Sequence, residues 1–253
     1  MKKSSNSAIR NLQSAIGKLY GIGIGPGDPK LLTLRAKEIL DSVKTIFVPK
    51  ARDGEASCAR SILNRVIKKP KKYIELVFPM TKDKQKLNLS WQAAAKKVAQ
   101  TIAKERDAAF VTIGDPFVYS TYIYLLNAMQ AQYPNIESET IPGITSFCAA
   151  SCASGIPLVK QNEKLAVLPV GRDMAVIEKT LKEFDTVVLM KVGAKLGKVI
   201  KLLKKLNLID NSVLVSRVGH PDERIIKDVS SLKDDKLGYL SVMIIRRQNI
   251  TKT

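Results

Sequence analysis

Lys18 to Leu40 reads KLYGIGIGPGDPKLLTLRAKEIL, and three successive signals in it decide the fold. Leu19 to Gly23 is a short apolar run of strand character. Gly21 to Asp28 follows as a glycine-rich turn, and from Leu31 to Asp41 apolar residues recur at helical spacing. Strand, turn and helix in that order form the repeating unit of an α/β chain. Glycine lets the backbone bend sharply and lets a ligand approach without a Cβ in the way. No Lys-Ser/Thr follows these glycines, so the stretch is not a P-loop, and Asp28 stands where a dinucleotide fingerprint has its third glycine. Two readings stay open: a tight turn in which Asp28 caps the helix and Pro29 takes its first position, or a loop that faces a ligand.

Outward from this stretch the alternation continues. Thr45–Val48, Ile74–Phe78 and Ala108–Ile113 read as strands, with helices expected over Ser57–Ile67 and Lys84–Glu105. The last helix sets Trp91, Ala95, Val98 and Ile102 on one face, which makes Trp91 a core residue rather than a ligand platform. A Pro-bearing polar stretch, Gln132 to Pro142, marks the domain junction. The expected division is a lead-in over 1–17, an N-terminal α/β domain over 18–138 and a C-terminal α/β domain over 139–253. In the second domain a small-residue helix, Thr145–Ser154, is stopped by Gly155 and Pro157. Strand-like runs follow at Leu165–Val170, Thr186–Met190, Val213–Val218, Arg224–Val229 and Tyr239–Ile245. The last two lie too close for an intervening helix, so antiparallel pairing and a mixed sheet are expected there, against a mostly parallel sheet in the first domain.

With 45% apolar residues in a chain of 253, a core can be built without staples. Cys58, Cys148 and Cys152 have no secreted-type spacing, which points to a reducing cytoplasm. Met1 to Gly17 lacks the apolar core of a signal peptide and reads as a polar, partly disordered segment; no run elsewhere is apolar for the roughly 20 residues a membrane span needs. Forty-two Lys and Arg against 23 Asp and Glu give +19, which favours an anionic partner. Part of that excess is a solvated helix face: in Gly197–Asn207, Val199, Leu202, Leu203 and Leu206 form the apolar stripe, and Lys198, Lys201, Lys204 and Lys205 point elsewhere. A nucleic-acid binder is disfavoured, because no basic stripe is interleaved with aromatics and only 6% of residues are aromatic.

Two further turns carry ligand-binding potential. Ile113-Gly-Asp-Pro-Phe-Val-Tyr-Ser-Thr121 and Ile141-Pro-Gly-Ile-Thr-Ser146 each link a strand to a helix, where α/β proteins place small ligands. Cys148 and Cys152 stand one helical turn apart, but with no nearby His they cannot complete a zinc tetrahedron, so no metal is expected and the thiols read as close-packed core. His220 is the only histidine, which argues against His-metal sites and Ser-His-Asp hydrolysis.

Taken in order, these segments resemble the tetrapyrrole (corrin and porphyrin) methylases. KLYGIGIGPGDPKLLTLRAKEIL is similar to that family's glycine loop, TIGDPFVYST to its Gly-Asp-Pro loop and IPGITSFCAASCASGIPL to its Pro-Gly-x-x-Ser turn. IFVPKARDGEAS, VFPMTKD, DTVVLMKVG and VLVSRVGHPDERI are most similar to the branch that methylates C20 of precorrin-2 or its cobalt form. The resemblance covers Lys18 to Arg247. It implies two α/β domains with a cleft between them, S-adenosylmethionine as donor with S-adenosylhomocysteine as product, and an anionic tetrapyrrole acceptor. A homodimer is expected, with neither nucleic acid nor membrane as partner. By position, donor contacts are expected at Pro26, Ile113, Gly114, Asp115, Val118, Thr145, Ser146, Met190, Lys191 and Gly219. Substrate contacts are expected at Gly23, Gly25, Gly27 and Asp28. The glycine loop is thereby read as ligand-facing. Arg35, Lys50, Arg52 and Arg217 flank the matching segments and are candidates to pair with substrate carboxylates. Methyl transfer needs no nucleophilic side chain, and no catalytic residue is assigned. Sister activities on uroporphyrinogen III, another corrin carbon, diphthamide or ribosomal RNA are the alternatives.

Overall fold

A computed structural model describes residues 17–50, 57–79, 81, 83–171, 173–232, 237 and 239–247. All of the expected lead-in except Gly17 lies outside them, as does Arg52. The chain forms two α/β units, Met1–Ile144 and Thr145–Thr253.

In the first unit, β1 (Lys18–Gly23), β2 (Thr45–Lys50), β3 (Lys72–Val77), β4 (Ala108–Thr112) and β5 (Glu137–Ile141) form a five-stranded sheet in the order β3-β2-β4-β1-β5. Every pairing is parallel. A parallel sheet is covered on both faces, and alternate side chains serve opposite cores. Leu19, Phe47 and Phe110 meet α3 (Lys84–Glu105) and α4 (Tyr122–Gln132), whereas Ile22, Ile46 and Val111 meet α1 (Leu34–Ser42) and α2 (Cys58–Val66). Ala95, Val98 and Ile102 of α3 are buried as the helical spacing requires, and half-buried Trp91 packs on that core while stacking on Tyr124 at 4.4 Å between ring centroids.

Two of the differences from expectation bear on the loops and on the division of the chain. Pro29–Leu31 is a 3-10 turn capped by Asp28, whose Oδ1 accepts from Lys30 N, and α1 starts only at Leu34, capped by Thr33. Leu32 is extended between them and breaks the helical run. The division between units falls after Ile144 rather than after residue 138. The polar stretch there contains β5, an edge strand whose Glu137 and Glu139 carboxylates lie 3.4 and 3.2 Å from Lys18 Nζ on β1. An edge strand has one neighbour and tolerates that polarity.

The second unit has β6 (Leu165–Pro169), β7 (Thr186–Met190), β8 (Ser212–Ser216), β9 (Arg224–Ile226) and β10 (Ser241–Arg246), in the order β6-β7-β10-β8-β9. β6 and β7 are parallel, and β10 runs antiparallel to both β7 and β8, so the sheet is mixed. The two terminal strands do not pair with each other; β9 and β10 each pair with β8. Helices α5 (Ser146–Ser154), α6 (Met174–Glu183) and α7 (Leu196–Lys205) complete the unit. On α7, Val199, Leu202 and Leu203 are buried and Lys198, Lys201, Lys204 and Lys205 are exposed. On α5 the expectation of buried thiols fails: Ala149 and Ala150 make the buried face, and Cys148 and Cys152 are exposed. Among the described residues no helix is long and apolar enough to cross a membrane.

Candidate functional site

β4, β1 and β5 are consecutive parallel neighbours, so the loops that leave their C-terminal ends emerge side by side. The glycine loop and the Gly-Asp-Pro loop are joined by a two-way bridge: Gly25 N donates to Gly114 O at 3.3 Å and Gly114 N to Gly25 O at 2.8 Å. Both glycines have left-handed φ, 73° and 74°, which a side chain would strain. The third loop locks in sterically. A Cβ on Gly23 would sit 2.6 Å from both Gly114 O and Gly143 N, and one on Gly143 would sit 2.2 Å from Gly114 O. Asp115 then clasps two loops together, its Oδ1 accepting from Phe117 N at 2.9 Å and its Oδ2 from Gly143 N at 3.1 Å. Ser120 closes the Gly-Asp-Pro loop by donating to Thr112 Oγ1 and accepting from Tyr122 N.

The structure thus brings Gly23, Gly25, Gly114 and Asp115 into one cluster. Pro26 and Gly27 are buried in the same loop, Asp28 caps the turn that follows, and Ile113 and Val118 are half-buried on either side of Asp115. In the second unit, Met190 and Ser216 both face the beginning of β10, so the turns after β7 and β8 lie at one edge of that sheet. Those turns hold Lys191 (φ 59°), whose Nζ lies 4.9 Å from the Tyr239 ring centroid, and Gly219 (φ 76°), whose N–H donates to Glu223 Oε2. Thr145 caps α5 by accepting from Cys148 N, and Ser146 is the first residue of that helix. His220, next to Gly219, is buried.

The cations that flank the motifs are engaged within the chain. Arg35 pairs with Glu38 and Glu139, Lys50 with Glu75 at 2.8 Å, and Arg217 with Asp222. The Lys50 hydrogen bond holds the Glu75 carboxyl below its ordinary pKa, and Arg217 does the same for Asp222; Glu139 is lowered first by Lys18 and then by Arg35. Lys30, exposed on the turn after the glycine loop, forms no ion pair among the described residues. Sequence reasoning missed it, and also the apolar surface carried by the three loops and the start of α1: Leu34, Phe117 and Ile144 are 84%, 57% and 37% exposed. Apolar residues inside turns were the available signal, since loops have no core face to supply. Among the described residues, no group of three or more His, Cys, Asp or Glu is placed to hold a metal.

Comparison with known proteins matches residues 18–233 to the family described as Tetrapyrrole (Corrin/Porphyrin) Methylases. The chain is 38% identical over 243 residues to a probable cobalt-precorrin-2 C(20)-methyltransferase of Methanocaldococcus jannaschii, covering 93% of this chain and 99% of that one. It is 30% identical over 233 residues to the cobalt-precorrin-2 C(20)-methyltransferase of Salmonella typhimurium, covering 92% and 97%. Among solved structures, a uroporphyrin-III C-methyltransferase of Thermus thermophilus in complex with S-adenosylhomocysteine shares the fold at a TM-score of 0.64, with 19% identity and coverage of 91% and 98%.

Proposed function

The chain belongs to the tetrapyrrole (corrin/porphyrin) methylase family, and from that premise we propose that it methylates C20 of precorrin-2 or cobalt-precorrin-2 in cobalamin biosynthesis, with S-adenosylmethionine as donor. The observation that carries this reading is the 38% identity, along nearly the whole chain, to a relative named for that reaction. The interlocked loops at the C-terminal edge of the parallel sheet support it, because ligands of open α/β sheets bind at such edges.

S-adenosylmethionine, when bound, supplies a methyl carbon already activated by its sulfonium. The protein's share of the work is then to position the two ligands and exclude water. The loop residues suit the donor: half-buried Ile113 and Val118 offer apolar walls beside the bridged glycine turn. Pro26, Asp115, Thr145, Ser146, Met190, Lys191 and Gly219 are the further donor contacts of this proposal. Gly23, Gly25, Gly27 and Asp28 border the tetrapyrrole in the same reading. To them we add Lys30 as a carboxylate partner and Leu34, Phe117 and Ile144 as apolar support for the conjugated ring. A homodimer acting in the cytoplasm, on an anionic tetrapyrrole and without nucleic acid or membrane, completes the reading. The free cysteines agree with a reducing compartment.

The test is incubation of the purified protein with methyl-labelled donor and either precorrin-2 or its cobalt form, followed by carbon NMR of the product. One labelled methyl at C20 is expected. Label at any other carbon, or transfer only to uroporphyrinogen III, overturns the assignment, and light scattering of the same sample checks the dimer.

A further inference from the structure

On α5, Cys148 and Cys152 are four residues apart, both exposed, and the buried face of the helix is made by Ala149 and Ala150. Neither thiol belongs to the buried face of the helix. Residues four apart lie on one helix face with Cβ atoms roughly 5–6 Å apart. A disulfide needs about 3.5–4.5 Å between Cβ atoms, so oxidation to one would require the helix to yield.

α5 is held against that at both ends. Thr145 caps its start, Gly155 closes its end in the left-handed conformation (φ 71°), and Ile156 N donates to Ser151 O at 3.1 Å. A bridge between the two thiols is therefore disfavoured. A metal ion with bonds of about 2.3 Å spans up to roughly 4.6 Å between two sulfurs, which bridges this spacing without distorting the backbone. No third ligand is at hand, since no group of three or more His, Cys, Asp or Glu is placed to hold a metal among the described residues. That disfavours zinc, which wants four ligands, and leaves a soft cation content with two thiolates.

We propose that Cys148 and Cys152 form a surface site for a two-coordinate thiophilic cation, with copper(I) as the ion it takes. Both thiols lose their protons on binding, so each ion bound releases two protons to solvent, and affinity rises with pH. This site is independent of the methyltransferase reading.

Anaerobic copper(I) titration of the reduced full chain against a chromophoric copper(I) chelator tests it, with Cys148→Ser, Cys152→Ser and Cys58→Ser compared with the parent. One copper per chain is expected in the parent and in Cys58→Ser. Either α5 variant should lose at least about tenfold in affinity while its circular dichroism is unchanged. The proposal is overturned by a parent that yields all its copper to the chelator or by α5 variants that keep it. It is also overturned by loss in Cys58→Ser, or by a stoichiometry of one copper per two chains, which would mean bridging between molecules.

Discussion

The two sheets of this protein differ in where their strand ends go. In the first unit all five strands run the same way, so β1, β4 and β5 deliver three loops to a single edge, where Gly23, Gly25, Gly114 and Gly143 fasten them to one another. In the second unit the last strand enters the middle of the sheet in the opposite direction, and the unit is tied together by a buried ion pair. Arg246 at the end of β10 donates to both Glu163 carboxylate oxygens at 2.7 and 2.8 Å and to Pro157 O at 2.8 Å. One unit concentrates its constraints on the candidate site, whereas the other places a buried ion pair where the terminal strand is secured. Loss of a constraint should therefore have different consequences in each.

The largest effect is expected from Arg246→Met. It leaves the Glu163 carboxylate, whose side chain is 14% exposed, without its charged partner and, among the described residues, with only the Lys160 N–H as donor, at a cost of about 3–5 kcal/mol. Hydrogen exchange should show protection lost in β6 to β10 ahead of β1 to β5; uniform loss would mean that the units do not divide stability as described. Gly143→Ala comes next. Its Cβ would meet a carbonyl oxygen of the Gly-Asp-Pro loop, for a cost of about 1–3 kcal/mol, and calorimetric binding of S-adenosylhomocysteine should disappear. Normal binding by a folded Gly143→Ala protein would remove the loop cluster from the donor site.

Gly155→Ala is the matched control. That glycine, unlike Gly143, has positive φ, but no atom lies within 4 Å of a Cβ built there, so only conformational strain of about 1 kcal/mol is expected and donor binding should be untouched. The smallest effect concerns acid. Glu105 is held below its ordinary pKa, first by the Thr45 hydroxyl and then by Lys72. A lowered carboxyl pKa stabilises the fold fully above the unfolded value and loses that contribution as pH falls through the folded one. Unfolding midpoints of the parent and Glu105→Gln should accordingly differ at neutral pH and draw together below about pH 4. A constant difference across that range would show that Glu105 acts through packing alone.

Local signals carried the fold a long way. Glycine and proline mark the three turns, and helical spacing correctly assigned the faces of α3 and α7, because both depend on near neighbours in the chain. What stayed hidden is non-local. Nothing in Ser241–Arg246 announces that the strand will insert between β7 and β8, and Glu137 and Glu139 look like linker residues until Lys18 is seen across the strand pair. The side of α5 facing the core was also illegible, since alanine and cysteine are similar small apolar residues and the sheet beneath the helix makes the choice. The three turns that meet at the candidate site were legible from their motifs. The partners of the flanking cations were not legible, because Glu75 and Glu139 lie far from Lys50 and Arg35 in sequence and Asp222 looks unremarkable beside Arg217.

The contact among Gly23, Gly114 and Gly143 also governs how this site can be re-engineered. Each backbone occupies the volume that the smallest side chain would need on another, so the three loops fit only as a set. A laboratory seeking a new acceptor by grafting one loop from a relative would carry over one third of a joint. Exchanging all three together, with Asp115 included as the clasp, is the unit in which such a transplant has to be made.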